Sequence, residues 1–126
     1  MDKREQLEIV NLKDKLRRVQ EYWSPKIVGE LNDTYVKVVK LRGEFVWHHH
    51  DGEDELFFVV EGRLRMQLRD GNRDLGPGEF IIVPRGVEHC PKALTDEVHV
   101  VLIEPQTTLN TGNVVNERTV RNPERI

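Results

Sequence analysis

The chain has one cysteine, Cys90, among its 126 residues, which excludes an internal disulfide framework. No apolar run approaches the ~20 residues that a bilayer core demands, and no leader with an apolar core opens the sequence. A cytoplasmic protein without a membrane partner is the expectation. Positive charge is not in excess either: 19 Lys and Arg stand against 22 Asp and Glu, a formal net charge of −3. A nucleic-acid binder needs a basic face to displace counterions from phosphates; none is announced, so nucleic acid is not expected as a partner. Also lacking are internal repeats, low-complexity segments, a Ser–His–Asp arrangement, a glycine-rich phosphate loop leading into a helix, and a nucleotide fingerprint. The length suits one domain.

What is present changes character near residue 25. Residues 1–25 form an N-terminal appendage. Leu12, Leu16 and Val19 recur at helical spacing, Asn11 suits an N-cap, and Asp14 falls in the first turn. A short helix over about 12–20 is predicted, preceded by a strand at Leu7–Val10 and broken by Ser24-Pro25. Residues 26–104 read as about eight short strands with close turns: 26–31, 34–41, 55–60, 63–68, 73–75, 80–83, 89–94 and 97–103. Asn32-Asp33, Glu61-Gly62, Asp70-Gly71 and Gly76-Pro77-Gly78 are the turn signals. That pattern predicts an all-β antiparallel sandwich or barrel. The polar tail, 105–126, is expected to be disordered at its end or to drape over a neighbouring molecule.

One stretch carries most of the chemistry. Gly43–Gly62 reads GEFVWHHHDGEDELFFVVEG. On an extended chain His48 and His50 leave the same face and His49 the other. Glu55 opens the next apolar strand, and a turn through 51–54 could bring that strand back beside the histidines. Two nitrogens and one oxygen then converge. The chain offers a fourth ligand at His89, which ends a second patterned stretch, Gly78–His89 (GEFIIVPRGVEH). Three imidazoles and one carboxylate suit a divalent transition metal: Fe, Mn, Ni, Cu or Zn. The same parity turns Cys90 away from His89, as a buried small hydrophobe.

At this point the residues resemble the cupin family. Its first motif is matched by His48-x-His50, Glu55 and Gly62, with Gly43 one residue closer to His48 than the family pattern. Its second is matched by Gly78, Pro84, Gly86 and His89, with Ala93 where the family carries Asn. The resemblance implies a double-stranded β-helix, or jelly-roll, barrel carrying a short N-terminal helix. It also implies a homodimer, with His48, His50, Glu55 and His89 as metal ligands.

Counting inward by twos from Glu55 predicts Phe57 and Val59 on the metal face, with Tyr35, Val36, Val38, Gln67, Phe80, Ile82 and His99 as further pocket candidates. A mainly apolar pocket suits a small-molecule ligand or substrate. The expected function is metal-dependent chemistry on a small organic molecule, of dioxygenase or isomerase type. The alternative is a barrel that binds or senses a metabolite without turning it over.

Overall fold

The structure, a computed structural model, describes residues 2–126. Two short helices, α1 (Lys3–Gln6) and α2 (Leu12–Arg17), precede eight strands. These are β1 (Lys26–Leu31), β2 (Thr34–Leu41), β3 (Glu55–Glu61), β4 (Leu64–Leu68), β5 (Gly71–Leu75), β6 (Phe80–Val83), β7 (His89–Ala93) and β8 (Val98–Pro105). They form a five-stranded sheet, β1-β2-β8-β3-β6, and a three-stranded sheet, β5-β4-β7. Every paired neighbour is antiparallel. The chain is therefore all-β, with the jelly-roll character that the alternating strands and turns predict.

Local chemistry accounts for the turns. Leu31 pairs with Thr34, so Asn32-Asp33 makes a two-residue hairpin, with Asn32 at φ 54°. Asn accepts that left-handed conformation because its short polar side chain bonds locally. Gly62 closes the β3–β4 connection at φ 86°, where an added Cβ would lie 2.4 Å from the Glu97 carbonyl oxygen. Both conformation and space demand glycine there.

Strand parity sorts the interior. Phe57 and Val59 on β3, Leu64 and Met66 on β4, and Val98, Val100 and Leu102 on β8 meet Val39 and Leu41 between the sheets. Completely burying a side chain such as Met66 contributes ~1.5–3 kcal/mol. The opposite face of the large sheet is half covered: Leu16 of α2 and the following Val19 pack on Val28, Val38 and Val101. Asn11 caps α2 by accepting from the Asp14 N–H at 3.1 Å.

Four expectations are corrected. Leu7–Val10 is not a strand; α1 ends just before it, and Leu7 and Ile9 are 83% and 97% exposed. An isolated extended segment has no ladder to satisfy it. Helix α2 stops at Arg17, three residues short of the predicted end. The register of β6 is one residue off: Ile81 pairs with Phe57 and Ile82 with Leu56. Directly opposed residues share a face, so Ile81 and Val83 turn inward while Phe80 and Ile82 stay 59% and 51% exposed. The tail folds back on its own barrel: Ile126 N–H donates to the Ile27 carbonyl at 3.0 Å, and Asn113 N–H donates to the His49 carbonyl at 3.1 Å.

Candidate metal centre

The segment before β3 runs beside β7. His48 and His89 exchange backbone hydrogen bonds of 3.0 and 2.9 Å, and Phe45 N–H donates to the Pro91 carbonyl. This fastens the histidine run to the second patterned stretch. His48 and His50 leave one side of it, and Glu55 enters from the start of β3. Ring centroids of His48 and His89 lie 4.2 Å apart, of His48 and His50 5.1 Å, and of His50 and His89 5.7 Å. One ligand atom from each of His48, His50, Glu55 and His89 falls within 4.8 Å of all the others, and all four residues are buried.

Backbone carbonyls determine which nitrogens face inward. Nδ1 of His48 lies 2.9 Å from the Val46 oxygen, and Nδ1 of His89 lies 2.9 Å from the Val87 oxygen. A carbonyl can only accept, so each Nδ1 carries the proton and each Nε2 keeps its lone pair. Glu55 Oε1 sits 3.3 Å from His50 Nε2 and 3.4 Å from His89 Nε2. These three buried atoms have no hydrogen-bond partner, an arrangement that costs free energy unless something satisfies it. Converging, unpartnered nitrogen and oxygen donors fit a divalent metal ion.

Electrostatics favour the ligating forms. Burial, then the neighbouring His89, lowers the His48 pKa from 6.5 to about 4, which keeps its imidazole neutral. Burial opposes ionisation of Glu55, but the neighbouring Glu104, His50 and His89 side chains outweigh it and hold its carboxyl well below the usual range. Glu104 moves the other way: burial, then the negative charge of Glu55, pushes it well above that range. Lys37 completes this interior chain, its Nζ 2.9 Å from Glu104 Oε1.

A cavity borders His48 and Glu55, walled by Trp23, Pro25, Val39, Leu41, Phe45, Phe57, Pro91 and Leu102, with Asn110 as a further polar residue. Trp23 and Phe45 stack there, centroids 4.5 Å apart and planes 15° off parallel. The Asn110 amide is committed to the tail, donating to the Arg118 carbonyl and accepting from Val120 N–H, each at 2.8 Å.

Of the pocket residues expected from sequence, Phe57 lines this cavity. Val59 faces inward but lies wholly within the core. Tyr35 stands on the rung of Glu104, with the charged ends of Lys37 and Arg125 5.7 and 5.4 Å from its ring, and does not reach the cavity. Gln67 pairs with Cys90 on the outer side of the small sheet and donates to Glu44 and to the Cys90 carbonyl. Val36 and Val38 pack with α2 on the outer face of the large sheet. His99 also points outward, between Glu61 and Glu97 at 3.0 and 3.1 Å. Phe80 and Ile82 are exposed, as the β6 register requires. Cys90 is buried, and burial followed by the charge of Glu44 pushes its thiol up to about 11. His49 turns away, its Nε2 2.9 Å from Asp51 Oδ1.

Sequence reasoning missed Lys37, Glu104, Trp23 and Phe45. Lys37 and Glu104 did carry a signal, since each is a charge on the inward parity of its strand. The tail also escaped it. Gly112 stands at φ 57°, and an added Cβ would lie 2.2 Å from the His49 carbonyl oxygen; Asn113 Oδ1 accepts from His49 N–H at 2.8 Å.

An antiparallel two-sheet barrel with three histidines and a glutamate converging in its interior defines a cupin-type protein. The family model described as "Cupin domain" matches residues 35–105, and the chain belongs to the cupin family. It is similar to a solved cupin-2 domain protein of Shewanella frigidimarina: 44% identity, 78% of this chain and 95% of that one covered, TM-score 0.75. It is also similar to solved protein NMB1881 of Neisseria meningitidis, with 35% identity, 79% and 100% coverage and a TM-score of 0.70. The uncharacterized protein YdbB of Bacillus subtilis is 31% identical over 80 residues, 63% of this chain and 71% of that protein.

Proposed function

We propose that this cupin binds one divalent transition metal through His48, His50, Glu55 and His89 and uses it on a small organic molecule held in the adjoining cavity. The observation that carries the reading is the set of buried, unpartnered atoms on His50, Glu55 and His89, beside a cavity that both His48 and Glu55 border. Such an ion supplies Lewis-acid polarisation of a carbonyl or enediolate, or, if redox-active, activation of O₂. The chain's part is to hold neutral imidazoles and an ionised carboxylate in place, and to surround the reacting end with apolar walls that exclude water. Those walls offer no cation for a phosphate, and the Asn110 amide is engaged with the tail through one N–H and its oxygen. They suit a very small, largely apolar molecule with one chelating end.

Elemental analysis of untagged protein, before and after reconstitution, tests the reading. One metal per chain is expected, followed by turnover or O₂ consumption with such compounds. Absence of metal after reconstitution would overturn it.

A second reading is a metal-organised barrel that holds its ligand without converting it. Its support is the same lining: apart from the metal-ligand candidates, no free acid or base faces the cavity. A metabolite that stays bound unchanged to metal-loaded protein would favour it.

The assembly we infer is a homodimer. Strand β6 ends the large sheet, and its exposed Phe80 and Ile82 offer an apolar edge that a second copy would cover. For residues 1–25 we infer a supporting role at the outer sheet face, and for the cell a cytoplasmic location. Among the described residues no helix is long and apolar enough to cross a membrane.

A further inference from the structure

Behind the candidate metal centre the barrel buries a polar chain that the cavity does not reach. Lys37 on β2 and Glu104 on β8 point inward, their side chains 2% and 0% exposed, with Nζ 2.9 Å from Oε1. They meet diagonally across the ladder, since Lys37 pairs with Leu102 and Glu104 with Tyr35. On the far side of β8, Leu56 pairs with Ile103, which sets Glu104 beside Glu55 on the next inward rung. Glu104 Oε2, beyond the oxygen that Lys37 holds, is buried and has no other hydrogen-bond partner, so this neighbouring carboxyl is the group it can engage. Glu55 lines the cavity; Lys37 and Glu104 do not.

Stability alone does not explain the pair. Desolvating a lysine and a carboxyl in a barrel interior consumes most of what their attraction returns, and apolar residues of similar volume often serve equally well. Its neighbour gives it a role. Glu55 is the one carboxylate among the four ligand candidates and the one whose long side chain has most freedom to swing. A metal site binds tightly when its donors already face the centre. Oε1 of Glu55 does so, against His50 and His89.

We propose that Lys37 and Glu104 are positioning residues for the metal centre: Lys37 anchors Glu104, and Glu104 holds the Glu55 carboxyl with Oε1 turned toward the imidazole nitrogens. This rests on the metal-binding reading above.

The test is Co²⁺ titration of metal-free protein, reading the dissociation constant and the visible absorption that reports ligand geometry. Lys37→Met with Glu104→Leu replaces the pair by apolar side chains of similar volume. This variant should weaken Co²⁺ binding about 10- to 100-fold, as loss of groups supporting a ligand commonly does, and alter the spectrum. Glu104→Gln, whose amide still reaches both neighbours, should stay near wild type. Lys37→Met alone provides a second reading should the double variant fold poorly, and is expected to weaken binding too. Adding it to Glu55→Gln should change affinity no further. A variant with a lower melting temperature but wild-type affinity and spectrum would show a structural pair and overturn the proposal. If wild type itself binds no Co²⁺, the metal reading fails first, a result distinct from equal binding by wild type and variants.

Discussion

His48 and His89 face each other as a reciprocal backbone pair, the N–H of each bonded to the carbonyl of the other at 3.0 and 2.9 Å, with their rings 4.2 Å apart. Two residues distant in sequence are thereby held as cross-strand neighbours before any ion enters. Main-chain bonds, not the metal, set the spacing of these imidazoles. The protein should therefore fold without metal and bind it afterwards.

The three consecutive histidines should behave differently. His50→Ala removes a buried, unpartnered nitrogen at the centre and should reduce metal content severely. His49→Ala removes a ring that bonds Asp51 at the surface and should leave content nearly unchanged. Metal-to-protein ratios after identical reconstitution check this, and equal losses would refute the facing of the strand.

Acid should destabilise the metal-free protein. The His48 pKa falls from 6.5 to about 4 in the fold, so the unfolded chain takes up a proton that the folded one refuses. His48 neutrality is fully compatible with folding above pH 6.5; stability drains away as pH falls below that value, and the loss levels off below about 4. At 1.36 kcal/mol per unit, the loss from this group approaches ~3 kcal/mol. Urea unfolding of chelator-treated protein at several pH values measures it. His48→Gln, which cannot protonate, should show a shallower dependence between pH 6.5 and 4.

Gly112→Ala should lower stability by roughly 1–3 kcal/mol, the scale of a forced left-handed side-chain residue, because its Cβ would also meet the His49 carbonyl. Gly52→Ala has open space and no positive φ and should be nearly neutral. Thermal melts of the two variants check the contrast. Gly112→Ala should also lose metal affinity through displacement of the histidine run.

Phe80→Glu with Ile82→Lys should leave the barrel folded, since both side chains are exposed, while shifting the assembly toward monomer. Analytical ultracentrifugation reads this directly. An unchanged sedimentation coefficient would place any dimer contact elsewhere.

Local chemistry made much of the fold legible. The bounds of β1, β2 and β6 agree with those expected from alternation and turns, and the remaining strands differ by one or two residues at their ends. The structure brings His48, His50 and Glu55, which parity and turn placement singled out, together with His89, which ends the second patterned stretch. Facing was harder wherever it depended on a distant partner. Phe80 and Ile82 look as apolar as Ile81 and Val83, and only the rung shared by Ile81 and Phe57 decides between them. Lys37 stands on the inward parity of its strand, but its partner Glu104 lies diagonally across the ladder on a strand far along the sequence. The tail resisted for a different reason. Its polar residues bond to main-chain groups of a remote segment, which no periodicity encodes.

That tail has a consequence for anyone hoping to transplant the centre. His49 contributes no donor to the metal, yet its N–H and carbonyl are both gripped by Asn113. The smallest portable module is therefore not the eight strands alone. A graft, a circular permutant or a shortened scaffold that omits 110–113 would carry all four ligand candidates and still leave one side of their backbone unsupported.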